Sequence, residues 1–218
     1  MGFLSTTMST IKQHRVRFSI SLGICLLALF SLTTLGVLKV AMGHLNTSTP
    51  IKLFSSAEID QLQQYFSNGL IACSIFLILS LLLFFVFRFR RWKNQEFTTN
   101  RMIYETGLEC FLSLLLATIF LILLFALFEP TYEAILQNLY HKGLDQISNL
   151  PKTVISNGNN GIVYSTRSSL TFDFSSATLL DMFFKSLIKS ILYILLNLVL
   201  LTLGFKAINL LTKKHKVR

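Results

Sequence analysis

Asp181, Lys185 and Lys189 recur at i, i+4 and i+8 in the segment DMFFKSLIKSILYILLNLVLL, so a helix there carries all three on one face. Asp181 can pair with Lys185 one turn on, which leaves Lys189 deeper in the apolar run with no local partner. An ammonium group in that position has three chemical uses. It can snorkel to the lipid headgroups as an anchor. It can pair with an acid on a neighbouring helix, for which Glu129 and Glu133 are the candidates. It can also hold a lipid phosphate or draw anions to a pore mouth, in a rim that Lys39 would join. Asn197, further along the same run, is a candidate interhelical hydrogen-bonding group.

A second set of residues could support catalysis. Of the four histidines, His14 and His215 lie in basic tails. His44 and His141 flank apolar runs, and with Glu129 they are the candidate residues for general acid–base or acyl-transfer work. No spacing of the HExxH or CxxC kind is present, and no glycine-rich phosphate loop or nucleophile elbow. No metal and no cofactor is therefore expected. Cys25, Cys73 and Cys110 fall in or beside apolar runs and read as small buried hydrophobes, not as a disulfide framework.

The elements that must position these groups are membrane helices. Of 218 residues, 52% are hydrophobic and 14% charged, against about 25% charged in soluble domains. Four runs approach the roughly 20 residues that a helix needs to cross a hydrocarbon core. They are 18–38, 69–87, 111–128 and 187–205. The first is too long for the apolar region of a signal peptide, about 7–15 residues, and is read as a retained span.

The net charge of +10 marks helix ends here, not a nucleic-acid surface, because no basic aromatic patch sits on a soluble domain. The tail 1–17, the link 88–110 and the tail 206–218 carry 13 of the 20 Lys and Arg residues. The positive-inside rule then places both termini in the cytoplasm and the connections 39–68 and 129–186 outside, with the cell membrane as the expected location. Arg88, Arg90, Arg91 and Trp92, in the cluster RFRRWK, are the expected cytoplasmic interface anchors.

Both outer connections contain structure signals. In 39–68, Ser55 and Glu58 form a capping box, and Ile59, Leu62, Phe66 and Leu70 follow at helical spacing into the second span. In 129–186, Glu129-Pro130 stops the third helix. Tyr132, Ile135, Leu136 and Leu139 mark a short helix, and TVISNGNNGIVYS reads as a hairpin around an Asn/Gly turn. Leu170, Phe172 and Phe174 alternate as a third strand, and Ser175 or Ser176 caps the last helix. The expected fold is an all-α membrane bundle of four spans with a small extracytoplasmic α+β cap.

Four spans, inside termini and two outer loops are similar in layout to claudin-like and connexin-like proteins, colicin immunity proteins and a bacterial lipoprotein acyl-transferase family. The first two groups carry cysteines in their outer loops, and this chain has none there. The acyl-transferase resemblance extends to FEPTYEAILQNLYHKG after the third span and assigns no catalytic residue. The spans lack recurrent acids and broken helices of the kind that ion-coupled transporters use. The leading expectation is a non-enzymatic subunit or accessory component of a membrane complex. Its partners would be the bilayer and a second protein or further copies of itself. The alternatives are a homo-oligomeric pore, lined by Ser74, Ser80, Ser113 and the lysine rim, and an outer-leaflet lipid or acyl-transfer enzyme.

Overall fold

The computed structural model describes residues 15–48, 56–92, 99–146, 153–158, 161–166 and 175–216. The architecture is helical. Four long helices, α1 (Arg15–Ser48), α2 (Ser56–Trp92), α3 (Thr99–Leu127) and α5 (Ser176–Lys216), pack around a main core and a smaller cluster at Phe85, Cys110 and Leu198, and the shorter α4 (Glu129–Asp145) follows α3. Each long helix contains a stretch apolar and long enough to cross a membrane. Helices satisfy their own backbone hydrogen bonds, which is the condition for standing in hydrocarbon. The three prolines respect that condition: Pro50 follows α1, Pro151 precedes the hairpin, and Pro130 occupies the first turn of α4, where no helical N–H is lost.

The helix α1 is the hub. It packs against α2, α3 and α5, whereas α2 has few contacts with α5. Its buried residues, among them Leu29, Leu32, Val37, Leu38, Ala41 and Met42, therefore lie on more than one face. Small residues set the closest approaches, as membrane helices require when apolar burial alone gives no preference for helix over lipid. A Cβ at Gly36 would collide with Ser186 Oγ and sit 3.3 Å from its Cβ, so α5 crosses α1 there. Ser186 Oγ donates to the Thr33 carbonyl at 2.9 Å across this crossing. At the other end of the bundle, a Cβ at Gly107 would meet Thr202 Cγ2 at 2.8 Å, and α5 closes on α3.

We call the end where α1 gives way to α2 the loop end, and the end where α1 begins and α5 finishes the tail end. At 37 residues α2 is about 56 Å long, well over a hydrocarbon thickness of about 30 Å. Its first turns project at the loop end, with Ile59, Leu62 and Phe66 buried and Leu70 half-buried, in the pattern the sequence spacing predicts. Ser55, the predicted cap, lies outside the described residues. The chain leaves α3 at Leu127 and enters α4 at Glu129-Pro130, as the Glu-Pro signal implies. Helix α4 buries Tyr132, Leu136, Tyr140, Gly143 and Leu144. Of the predicted stripe, Ile135 and Leu139 are only half-buried, because the contact face turns toward Tyr140 and Gly143. Phe125 and Phe183 stack with centroids 4.1 Å apart, and Tyr132 meets both edge-on, which ties α4 to α3 and α5.

The expected α+β cap is a correction. A two-stranded ribbon pairs Thr153–Gly158 with Gly161–Thr166, Val154 opposite Ser165, as the Asn/Gly turn predicts. Two strands alone are marginal and build no layer, and the element that packs onto the loop end is the helix α4. The third strand expected at Leu170, Phe172 and Phe174 lies outside the described residues. Ser175 caps α5, with the Thr178 N–H donating to its Oγ at 3.4 Å. The last span is longer than 187–205: the membrane-length stretch runs from Ser176 to Ile208.

Docking of α4 depends on Gly143, where a Cβ would lie 2.9 Å from Phe66 Cζ and 3.2 Å from Leu62 Cδ2. Gly143→Val should free α4 from α2. The expected result is faster amide exchange across Glu129–Asp145 with protection of the four long helices retained, read by hydrogen–deuterium exchange mass spectrometry.

Candidate anion-binding groove

Helices α2 and α5 both lean on α1 and hardly on each other, which leaves a gap between them in the loop-end half. The gap is a cavity of about 510 Å³. Lys39 and Gly36 of α1, Gln63 and Ser74 of α2, and Ser186, Lys189, Ser190 and Tyr193 of α5 line it, together with Leu32, Val40 and Leu70. The structure thus brings together two of the three lysines that the sequence groups as a rim. Lys39 Nζ donates to Ser67 Oγ of α2 at 2.7 Å. Lys189 makes no ion pair among the described residues, and neither Glu129 nor Glu133 serves as its partner.

Lys185 stands apart. Its Nζ donates to Asp181 Oδ2 at 2.6 Å, and both side chains are exposed. An exposed i,i+4 pair of this kind contributes a few tenths of a kcal/mol.

The serine hydroxyls around the cavity are committed to backbone carbonyls. Ser186 donates to Thr33, Ser190 to Ser186 and Ser74 to Leu70, each at 2.8–2.9 Å. Their remaining lone pairs soften a floor that is otherwise apolar. No lining residue is acidic, so the charge of the cavity is that of two ammonium groups. Chemically the site can hold an anion, with hydrocarbon lying against its apolar walls.

The other predicted groups scatter. Glu129 and His141 stand on the same helix twelve residues apart, about 18 Å, and cannot share a proton. The His141 ring lies 5.8 Å from that of Tyr140. Burial pushes the Tyr132 and Tyr140 phenols up to about 12, so neither is a base near neutral pH. His44 lies in the last turns of α1. Among the described residues no group of three metal-ligating side chains forms. Of the serines assigned to a pore, Ser74 faces the loop-end cavity, Ser80 a separate one, and Ser113 is buried and bonded to the Glu109 carbonyl. They do not line one path within this chain. Asn197 donates to the Tyr193 carbonyl of its own helix at 2.8 Å instead of bridging helices.

One polar site escaped the sequence reasoning. Arg88, expected to anchor in the headgroups, turns inward and pairs with Glu109 of α3, both side chains buried. Arg90, Arg91 and Trp92 follow it in the last turn of α2. Glu109 falls in the link 88–110 by sequence, yet α3 begins at Thr99 and carries it inside the apolar stretch that starts at Ile103. The sequence holds the signal: an acid beside Cys110, Phe111 and Leu112 cannot stay charged in hydrocarbon without a cation. No known family, curated protein or solved structure matches this chain, so the geometry carries the functional argument alone.

Breaking the buried pair strands a charge, at a cost of about 3–5 kcal/mol, whereas replacing both partners with apolar groups removes that penalty. Glu109→Leu should lower thermal stability in detergent sharply, and Arg88→Leu/Glu109→Leu should restore most of it. Thermal unfolding of the three proteins checks this.

Proposed function

We propose that this protein is a non-enzymatic component of a membrane assembly that binds an anionic lipid in the groove between α1, α2 and α5. The observation that carries the proposal is the convergence of Lys39 and Lys189, from separate helices, on one cavity with no acid in its wall. A lipid fits that cavity better than a soluble anion does. Leu32, Val40, Leu70 and Tyr193 continue the cavity wall toward the hydrocarbon, where an acyl chain would lie while its phosphate meets the lysines.

The charge bias among short segments supports an orientation with the tail end in the cytoplasm. On that reading the groove opens to the outer leaflet. The exposed helix α4 and the ribbon Thr153–Thr166 would then be the extracytoplasmic contact surface for a protein partner. The separation of Glu129 from His141 weighs against the enzyme reading.

A lysine near anionic headgroups contributes about 1 kcal/mol, so losing both groove lysines is worth about 2 kcal/mol, a factor of about 30 in affinity. Native mass spectrometry in mild detergent, titrated with phosphatidylglycerol and phosphatidylcholine, reads this directly. Lys39→Gln/Lys189→Gln should lose most of the tight phosphatidylglycerol adduct. Lys185→Gln, outside the groove, should leave it unchanged. Equal adducts in all three proteins would refute the assignment.

A further inference from the structure

A second cavity, of about 460 Å³, lies at the tail end between α1 and α2. Its polar lining is Arg17, Ser80 and Arg88, and its apolar walls are Ile20, Ile24, Leu83, Phe84 and Phe87. Arg88 is the informative residue. Its side chain is only 5% exposed. Its Nη1 holds Glu109, but its Nε donates to no partner among the described residues. A guanidinium has five N–H donors in a planar fork that matches the oxygens of a carboxylate or phosphate. Glu109 engages one edge of that fork, and the Nε edge remains. A buried donor without an acceptor costs free energy, so the site is incomplete as the chain alone builds it.

We propose that this cavity is a second lipid site, which takes the phosphate of an anionic glycerophospholipid from the leaflet at the tail end. The phosphate oxygen accepts from Arg88 Nε, and the Arg17 guanidinium supplies further positive charge from the neighbouring helix. The acyl chains lie along Ile20, Ile24, Leu83 and Phe87. This wall is what selects a lipid over a free phosphate ion: a hydrated ion gains nothing from five hydrophobic residues, and a diacyl chain buries them. The pairing with Glu109 has a role in this reading. It fixes the guanidinium plane and prevents Arg88 from extending to the headgroups on its own, so the phosphate must come to it. The site lies in the opposite half of the bundle from the lysine groove and shares no lining residue with it.

The chain contains its own reporter. Trp92, the single tryptophan, follows Arg88 by one turn of α2. Full-length protein would be reconstituted in phosphatidylcholine vesicles in which increasing fractions are replaced by brominated phosphatidylglycerol or, separately, by brominated phosphatidylcholine. Bromines quench tryptophan at short range, so Trp92 reads occupancy at the tail end and not at the loop end. The expected result is stronger quenching by brominated phosphatidylglycerol than by brominated phosphatidylcholine at equal mole fraction. Arg17→Gln, which leaves the Arg88–Glu109 pair in place, should weaken that preference about fivefold, the worth of one cation near the headgroups. Lys206→Gln removes a charge elsewhere at the tail end and should not change it. Equal quenching by the two lipids would overturn the proposal. So would the same loss in Lys206→Gln as in Arg17→Gln, because attraction would then be diffuse. Relief of the quenching by millimolar inorganic phosphate would assign the site to a soluble anion and overturn the lipid reading.

Discussion

Gly36 presents no side chain, and Ser186 occupies the space that a side chain would take. The hydroxyl reaches the Thr33 carbonyl and fixes α5 against α1 at close range. In lipid, apolar burial does not distinguish a helix neighbour from an acyl chain, so close backbone approach and interhelical hydrogen bonds decide which helices meet. This crossing has a geometric consequence on its other flank. With α5 drawn onto α1, and α2 held to α1 separately, α2 and α5 do not close on each other at the loop end. The groove that results is a product of helix packing, and its two lysines stand at its rim because α1 and α5 carry them there.

The two ends of the bundle handle charge in opposite ways. At the loop end, Lys185 neutralises Asp181 in water and Lys189 keeps its charge facing a cavity. At the tail end, Arg88 is drawn inside by Glu109 and the pair is buried among apolar side chains. Burying both ions is expensive unless their geometry is good and their remaining donors find acceptors. The Glu109 side of that requirement is met and the Arg88 Nε side is not. Close to it, Phe85 stacks on Phe205 with centroids 5.4 Å apart, and Gly107 admits Thr202, so α5 is drawn onto α3 there. The loop end is open between α2 and α5 and is covered beside the groove by α4.

Much of this was legible in the residues. The four spans follow from length and apolarity, which physical law ties closely to membrane crossing. The helical extension at Ile59, Leu62 and Phe66, the break at Glu129-Pro130, the Asp181–Lys185 pair and the pairing of Thr153–Gly158 with Gly161–Thr166 are local, and local spacing encodes them. Non-local pairing is another matter. Asn197 looked like an interhelical group and instead bonds its own backbone, because a polar side chain in hydrocarbon takes the nearest carbonyl. Arg88 and Glu109 stand at the two ends of a link whose basic cluster reads as a cytoplasmic anchor, and local spacing says nothing of a pairing across it. The sequence places Lys39, Lys185 and Lys189 in one rim; that Lys39 and Lys189 share a cavity while Lys185 does not depends on how α5 is rotated on α1, which Gly36 and Ser186 determine.

The most direct test of this account is a cross-link at the crossing itself. A Cβ built at Gly36 sits 3.3 Å from that of Ser186, near the separation of about 3.8 Å that a disulfide spans. Cys25, Cys73 and Cys110 would be replaced by alanine, Gly36→Cys/Ser186→Cys introduced, and native membranes oxidised before mass measurement and thiol labelling. The account predicts an intramolecular disulfide in most of the protein and no label at either position. Two free, alkylated thiols in the folded protein would contradict it, and the groove between α1, α2 and α5 would lose its basis.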